Sequence, residues 1–232
     1  MKNYLIVGAS SGIGKQIATQ LANAQNKVYA TYCKNEVDNI HDHISYHFLD
    51  TTIPDLDFSY LPESIDGVVY SPGSISLKPF ERIKPEDYIK DYELNVLGAI
   101  KTLQLLIPRL KKSESASIIL ISSIAVQLGL SYHTVVASSK GAIEGLTRAL
   151  AAEYAPKIRV NCIAPSLTNT PLADSFLNTE QKIEANAQRH PMKRIGTPED
   201  MANLVEFLLS DKANWITGQI IHIDGGLSSL KV

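Results

Sequence analysis

Between the apolar run at residues 4–7 and an apolar repeat at Ile13, Ile17 and Leu21 lies Gly8-Ala9-Ser10-Ser11-Gly12-Ile13-Gly14. Glycines let a chain turn tightly where a strand stops and a helix starts. A helix beginning there aims its free N–H groups and the positive end of its dipole at the turn, which favours a phosphate. With a strand before and a helix after, the turn predicts a dinucleotide whose pyrophosphate lies against Gly8, Ser10, Ser11, Gly12, Ile13 and Gly14.

The rest of the chain repeats that alternation. Short runs rich in Val and Ile occupy residues 4–7, 28–31, 44–49, 67–70, 117–121, 158–163 and 220–223. Most are continuous rather than alternating, as in strands covered on both faces. Helical patterns lie between them, notably over residues 86–110 and 136–154. Thr197-Pro198-Glu199-Asp200 reads as a helix start, with a capping hydroxyl, a proline and two acids. The expectation is an α/β fold of three layers: one Rossmann-type, doubly wound parallel sheet of about seven strands, in a single domain over residues 1–232. A hydrophobic fraction of 44% supplies a sizeable core. The 22 basic residues against 24 acidic ones give a net charge of −2, which argues against a nucleic-acid-binding surface. The start of the chain lacks a signal-peptide pattern and no apolar run reaches membrane-spanning length. Cys33 and Cys162 match no ligand spacing, and both thiols are expected free. A cytoplasmic protein with no membrane partner is expected.

From the glycine turn onward, motifs accumulate in order. Asp50 follows the third strand, and Ser71-Pro72-Gly73 the fourth. Leu94-Asn95-Val96-Leu97-Gly98 comes next, then Ile121-Ser122-Ser123, Ser138-Ser139-Lys140, the run from Arg159 to Pro165, and Asp224-Gly225-Gly226. In this order and spacing the chain resembles the short-chain dehydrogenase/reductase family along nearly its whole length, and is similar to its β-ketoacyl-carrier-protein-reductase-like members. The resemblance implies an NAD(P)-dependent oxidoreductase of a carbonyl/alcohol pair. It implies Asn95, Ser123 and Lys140 as catalytic residues, Asp50 as the adenine contact, and Gly73, Asn95, Lys140, Pro165, Thr168 and Thr170 near the cofactor. Only Gly73 of the family's usual Asn-Ala-Gly is kept, and Ser166 stands where relatives have glycine. A small-molecule substrate is implied, its identity not legible, and so is a homodimer or homotetramer packed through the two long helices.

Dinucleotide enzymes that prefer NAD carry an acid about 20 residues past the glycines. Here the second strand ends Ala30-Thr31-Tyr32-Cys33-Lys34, with Tyr32 in the acid's place. Lys34 offers a charge to a 2′-phosphate, and Thr31 and Tyr32 offer hydroxyls. NADP(H) is therefore expected in preference to NAD(H).

One departure bears on the chemistry. The family places a proton-transferring tyrosine four residues before the lysine and thirteen after the serine; here that residue is Val136. Three readings follow: Tyr132 or His133, eight and seven positions before Lys140, replaces it; the site turns over slowly without it; or the chain is a catalytically silent nucleotide-binding subunit.

His41, His43 and His47 lack companion acids or thiols at ligand spacing, so no metal is expected, and with Asp42 they read as solvent-exposed. Residues 173–195 read as a polar, mobile segment, with Arg189, His190 and Lys193 on a solvated face; the resemblance implies that it closes over substrate.

Overall fold

A computed structural model describes residues 1–37 and 41–231. Seven strands form one sheet: β1 (Asn3–Val7), β2 (Lys27–Tyr32), β3 (Ile44–Phe48), β4 (Gly67–Tyr70), β5 (Ala116–Ile121), β6 (Ile158–Pro165) and β7 (Ile220–Ile223). Their order is β3-β2-β1-β4-β5-β6-β7, parallel at every pairing. β5 and β6 are buried at every residue, which is why they read as unbroken apolar runs.

Helices cover both faces. On one, α1 (Gly12–Asn23) packs beside α7 (Pro198–Leu209), with Ile17, Leu21, Val205 and Leu208 closing over Ile6, Val69 and Ile119. On the other, α3 (Gly98–Leu110) and α4 (Thr134–Tyr154) place Leu103, Leu106, Leu110 and Ile143 over Leu5, Val68, Ile118 and Val160. Each such fully buried side chain contributes about 1.5–3 kcal/mol relative to exposure. The start of α7 is as its sequence implies: Thr197 Oγ1 accepts from Asp200 N, and Asp200 accepts from Thr197 N at 2.8 Å.

The expected helix over residues 86–110 is interrupted. α2 (Pro85–Tyr92) passes into a π-helical turn at Glu93–Leu97 before α3 begins. The widened turn is held by side chains: Asn95 Nδ2 donates to the Asp91 carbonyl at 2.9 Å, and the Tyr70 hydroxyl donates to the Leu94 carbonyl at 2.6 Å. Periodicity cannot show such a bulge, because the apolar face continues through it. Between β3 and β4 the chain runs without a helix, matching the shortness of that stretch. Residues 173–195 contain the short helix α5 (Asp174–Leu177) and α6 (Glu180–Gln188). His47 is half-buried, its ring stacked on Tyr60 at 3.8 Å between centroids, so the reading of it as a solvated residue is corrected; His41 and His43 are likewise half-buried while Asp42 is exposed. Among the described residues no helix is long and apolar enough to cross a membrane, and no group of three or more His, Cys, Asp or Glu is placed to hold a metal.

Candidate active site

The carboxyl ends of β1, β2, β4, β5 and β6 open into one cleft of about 470 Å³. In a doubly wound sheet this edge, where the connections diverge from β1 and β4, is where ligands bind. Gly8, Ser10, Ser11, Gly12 and Ile13 form its floor. Gly8 (φ +78°) and Gly12 (φ +55°) adopt the left-handed backbone their turns need. Gly14 does not line the cleft; it lies beneath the turn, where a Cβ would be driven into the Gly8 carbonyl. The turn is tied to β2 by Gly8 N donating to Thr31 Oγ1 at 3.1 Å and Ala9 N to Thr31 O at 2.7 Å. Ser11 begins α1 without a side-chain cap, and no acid occupies the first helical turn. That leaves α1's N-terminal donors turned toward the cleft.

At the β2 end, Tyr32, Cys33, Lys34 and Asp50 line the cleft. Asp50 Oδ1 accepts from Thr52 N at 2.9 Å and Thr52 Oγ1 at 2.7 Å, and these bonds hold its carboxyl below the usual carboxylate range. Gly73, Ser123, Val136, Lys140, Pro165, Thr168 and Thr170 line the rest. Lys140 projects from α4 into the sheet edge, 7% exposed, and its Nζ donates to the Ile121 carbonyl at 2.9 Å. Burial, only partly opposed by Cys162 and Asp91, pulls this ammonium down to about 8. Val136, one turn earlier on α4, is buried against the same cleft.

Asn95 stands behind the cleft wall, buried, with Oδ1 lacking a hydrogen-bond partner. Its Nδ2 reaches Ser74 Oγ at 3.3 Å, and Ser74 in turn donates to Asp91. The buried Asp91, on the last turn of α2, was not singled out from sequence. Tyr132 and His133 are not brought into the cleft. Tyr132 takes a left-handed backbone (φ +69°) and is 56% exposed, and His133 Nδ1 lies 2.7 Å from the Ser131 carbonyl in the loop before α4. A helix extended backwards would have turned them inward, but α4 starts only at Thr134. His190 is also corrected: it is 3% exposed, with Nε2 2.8 Å from Ser166 Oγ and Nδ1 2.8 Å from the Asn186 carbonyl.

An all-parallel sheet with a glycine turn at its first strand–helix junction, and a buried lysine beside a strand-end serine, defines a nucleotide-dependent oxidoreductase fold. The chain belongs to the short-chain dehydrogenase/reductase family: residues 8–228 match the family model described as enoyl-(acyl carrier protein) reductase. It is 32% identical to a tropinone reductase homolog of Arabidopsis thaliana, over 98% of this chain and 92% of that one. It is 31% identical to the 3-oxoacyl-[acyl-carrier-protein] reductase of Thermotoga maritima, over 97% of each. Among solved structures, the ligand-free aldohexose dehydrogenase of Thermoplasma acidophilum superposes with a TM-score of 0.91 at 30% identity, covering 100% of this chain and 96% of that one. ElxO with NADP bound superposes at 0.87 and 29% identity, covering 99% and 100%.

The family binds NAD(P), and two observations test whether these residues fit such a group. The uncapped start of α1 faces the cleft floor with no competing acid. At Gly73, a Cβ would meet nothing of the protein closer than 3.8 Å, from Asn95 Oδ1 and Lys140 Nζ. Protein packing does not demand glycine there, whereas close approach of a ligand does. The residues fit.

Proposed function

We propose that this chain moves a hydride between NADP(H), in preference to NAD(H), and the carbon of a carbonyl/alcohol pair in a small-molecule substrate. The observation that carries the reading is the convergence of α1's uncapped N-terminus, Ser123 and Lys140 on one cleft at the sheet's carboxyl edge. When bound, the nicotinamide supplies or accepts the hydride. Gly8, Ser10, Ser11, Gly12 and Ile13 hold the pyrophosphate, with Gly14 keeping the turn closed. Lys34 and Tyr32 face the adenosine ribose and Asp50 the adenine. Lys140 donates to the nicotinamide ribose and keeps positive charge near the reacting oxygen, which Ser123 orients by hydrogen bond. Thr168 and Thr170 close over the cofactor beside Pro165, and Asn95 supports a water behind Lys140. Exposed apolar side chains on α2, the π turn and α3, at Ile89, Leu97 and Leu105, support pairing with a second copy.

Val136 favours a second reading, a nucleotide binder without turnover, since an isopropyl group transfers no proton. Consumption of NADPH over a panel of ketones and quinones separates the two. Turnover in wild type that falls in Ser123→Ala supports the enzyme. Turnover that emerges only in Val136→Tyr supports the silent binder.

A further inference from the structure

We propose that Ser166, backed by His190, is the proton donor and acceptor of this site, taking the place that Val136 leaves without a hydroxyl. The inference rests on the oxidoreductase reading above.

β5 and β6 pair in register at Ile121 and Ile163, and parallel neighbours lie about 4.8 Å apart. Ser123 leaves β5 two residues past that pair and Ser166 leaves β6 three residues past it, so both hydroxyl-bearing tips border the same cleft. Ser166 also borders a second cavity of about 70 Å³ behind it, and there His190 lies. A carbonyl oxygen can only accept, so the 2.8 Å contact with Asn186 O requires the proton on Nδ1. In the neutral ring, Nε2 is then left as acceptor for the Ser166 hydroxyl, also at 2.8 Å. A hydroxyl, an imidazole behind it and a third group fixing the tautomer make the arrangement by which side chains activate a hydroxyl.

The step balances in both directions. In reduction a bound reduced nicotinamide would supply the hydride of the new C–H bond, leaving the former carbonyl oxygen to take up a proton. That oxygen takes the Ser166 proton, and Ser166 regains one from Nε2 of the His190 imidazolium. Neutral imidazole remains, its Nδ1 proton still on Asn186 O, until solvent reprotonates it. In oxidation the alcohol proton travels the same way outward. The charged groups lining the cavity with His190 are Arg194 and Asp200, themselves paired at 2.6 Å, and Asp224 at the exit of β7; Arg189 and Lys193 flank it in sequence. Asn186 belongs to α6, so the relay also fixes that helix to the end of β6.

The test uses three variants of the full chain. Ser166→Gly removes the hydroxyl, Ser166→Thr returns it, and His190→Gln preserves both hydrogen bonds while carrying no ionisable proton. With ¹⁵N-labelled, NADP⁺-saturated protein, the ring nitrogens of His190 are expected to report a neutral Nδ1–H tautomer whose resonances move in Ser166→Gly. NADPH affinity stays unchanged in every variant. The kcat for the best carbonyl substrate is expected to fall by roughly 10²–10⁴ in Ser166→Gly and His190→Gln and to recover in Ser166→Thr. The pH dependence of kcat/KM seen in wild type is expected to flatten in His190→Gln. A purely structural pair would leave His190→Gln near wild type, and that result overturns the proposal while the oxidoreductase reading stands. An Nε2–H tautomer overturns it likewise. NADPH binding without turnover in wild type overturns both.

Discussion

Nζ of Lys140 donates to the carbonyl oxygen of Ile121 at 2.9 Å, two residues before Ser123 leaves the same strand. This bond fastens α4 to the end of β5 and holds the lysine and serine in one wall of the cleft. It also keeps an ammonium out of water, so its proton is lost within an accessible pH range.

Burial lowers the Lys140 pKa from 10.5 to about 8. The group is charged below this value, so the donation proposed to ribose hydroxyls is expected to be strongest there and to fade as pH rises through it. NADPH affinity, read by nicotinamide fluorescence, is expected to weaken above pH 8 and level off once Lys140 is neutral. Lys140→Met is expected to bind weakly at every pH, with no such limb.

Two glycines separate folding from binding. A Cβ at Gly14 would strike the Gly8 carbonyl, so Gly14→Ala is expected to cost about 1–3 kcal/mol and lower Tm. A Cβ at Gly73 meets only atoms 3.8 Å away. Gly73→Ala is therefore expected to melt with wild type in calorimetry yet lose affinity for the dinucleotide. Equal affinity in Gly73→Ala would contradict the placement of the ligand.

Tyr70 and the π turn give a third prediction. The Tyr70 hydroxyl serves the Leu94 carbonyl at 2.6 Å and shares a hydrogen bond with Thr51 at 3.0 Å, both in the interior. Tyr70→Phe leaves these groups without that partner and is expected to cost about 1–3 kcal/mol in urea unfolding. Because the same turn aims Asn95, turnover should fall more than cofactor affinity does.

Lys34 sets the fourth. It lines the β2 end of the cleft and is solvent-exposed, so its pull on a 2′-phosphate is that of a screened surface charge, worth about 0–1 kcal/mol. Lys34→Ala is expected to lower the preference for NADPH over NADH by no more than about fivefold at moderate salt. The ratio of the two Kd values checks this.

The sheet was legible because each central strand is a continuous apolar run between amphipathic stretches, and every strand position read from sequence matches a strand within a residue or two at its ends. The cleft floor was legible because a glycine turn in that context has few physical uses. What lay hidden depends on three-dimensional register. The π turn at Glu93–Leu97 keeps the apolar pattern of a plain helix, and the burial of Asp91 just before it shows only in the fold. The start of α4 at Thr134, after a left-handed Tyr132, keeps Tyr132 and His133 out of the cleft. His190 sits among charged residues in sequence, and only its ring contacts with Ser166 and the Asn186 carbonyl reveal it as buried.

The placement of a nicotinamide dinucleotide over the Gly8 turn is tested most directly by titrating the purified chain with NADPH in a calorimeter. One saturable site per chain, competed by NADP⁺ and weakened in Gly73→Ala, is the expected result. Folded protein with no heat of binding for reduced or oxidised nucleotide at millimolar concentration would contradict it.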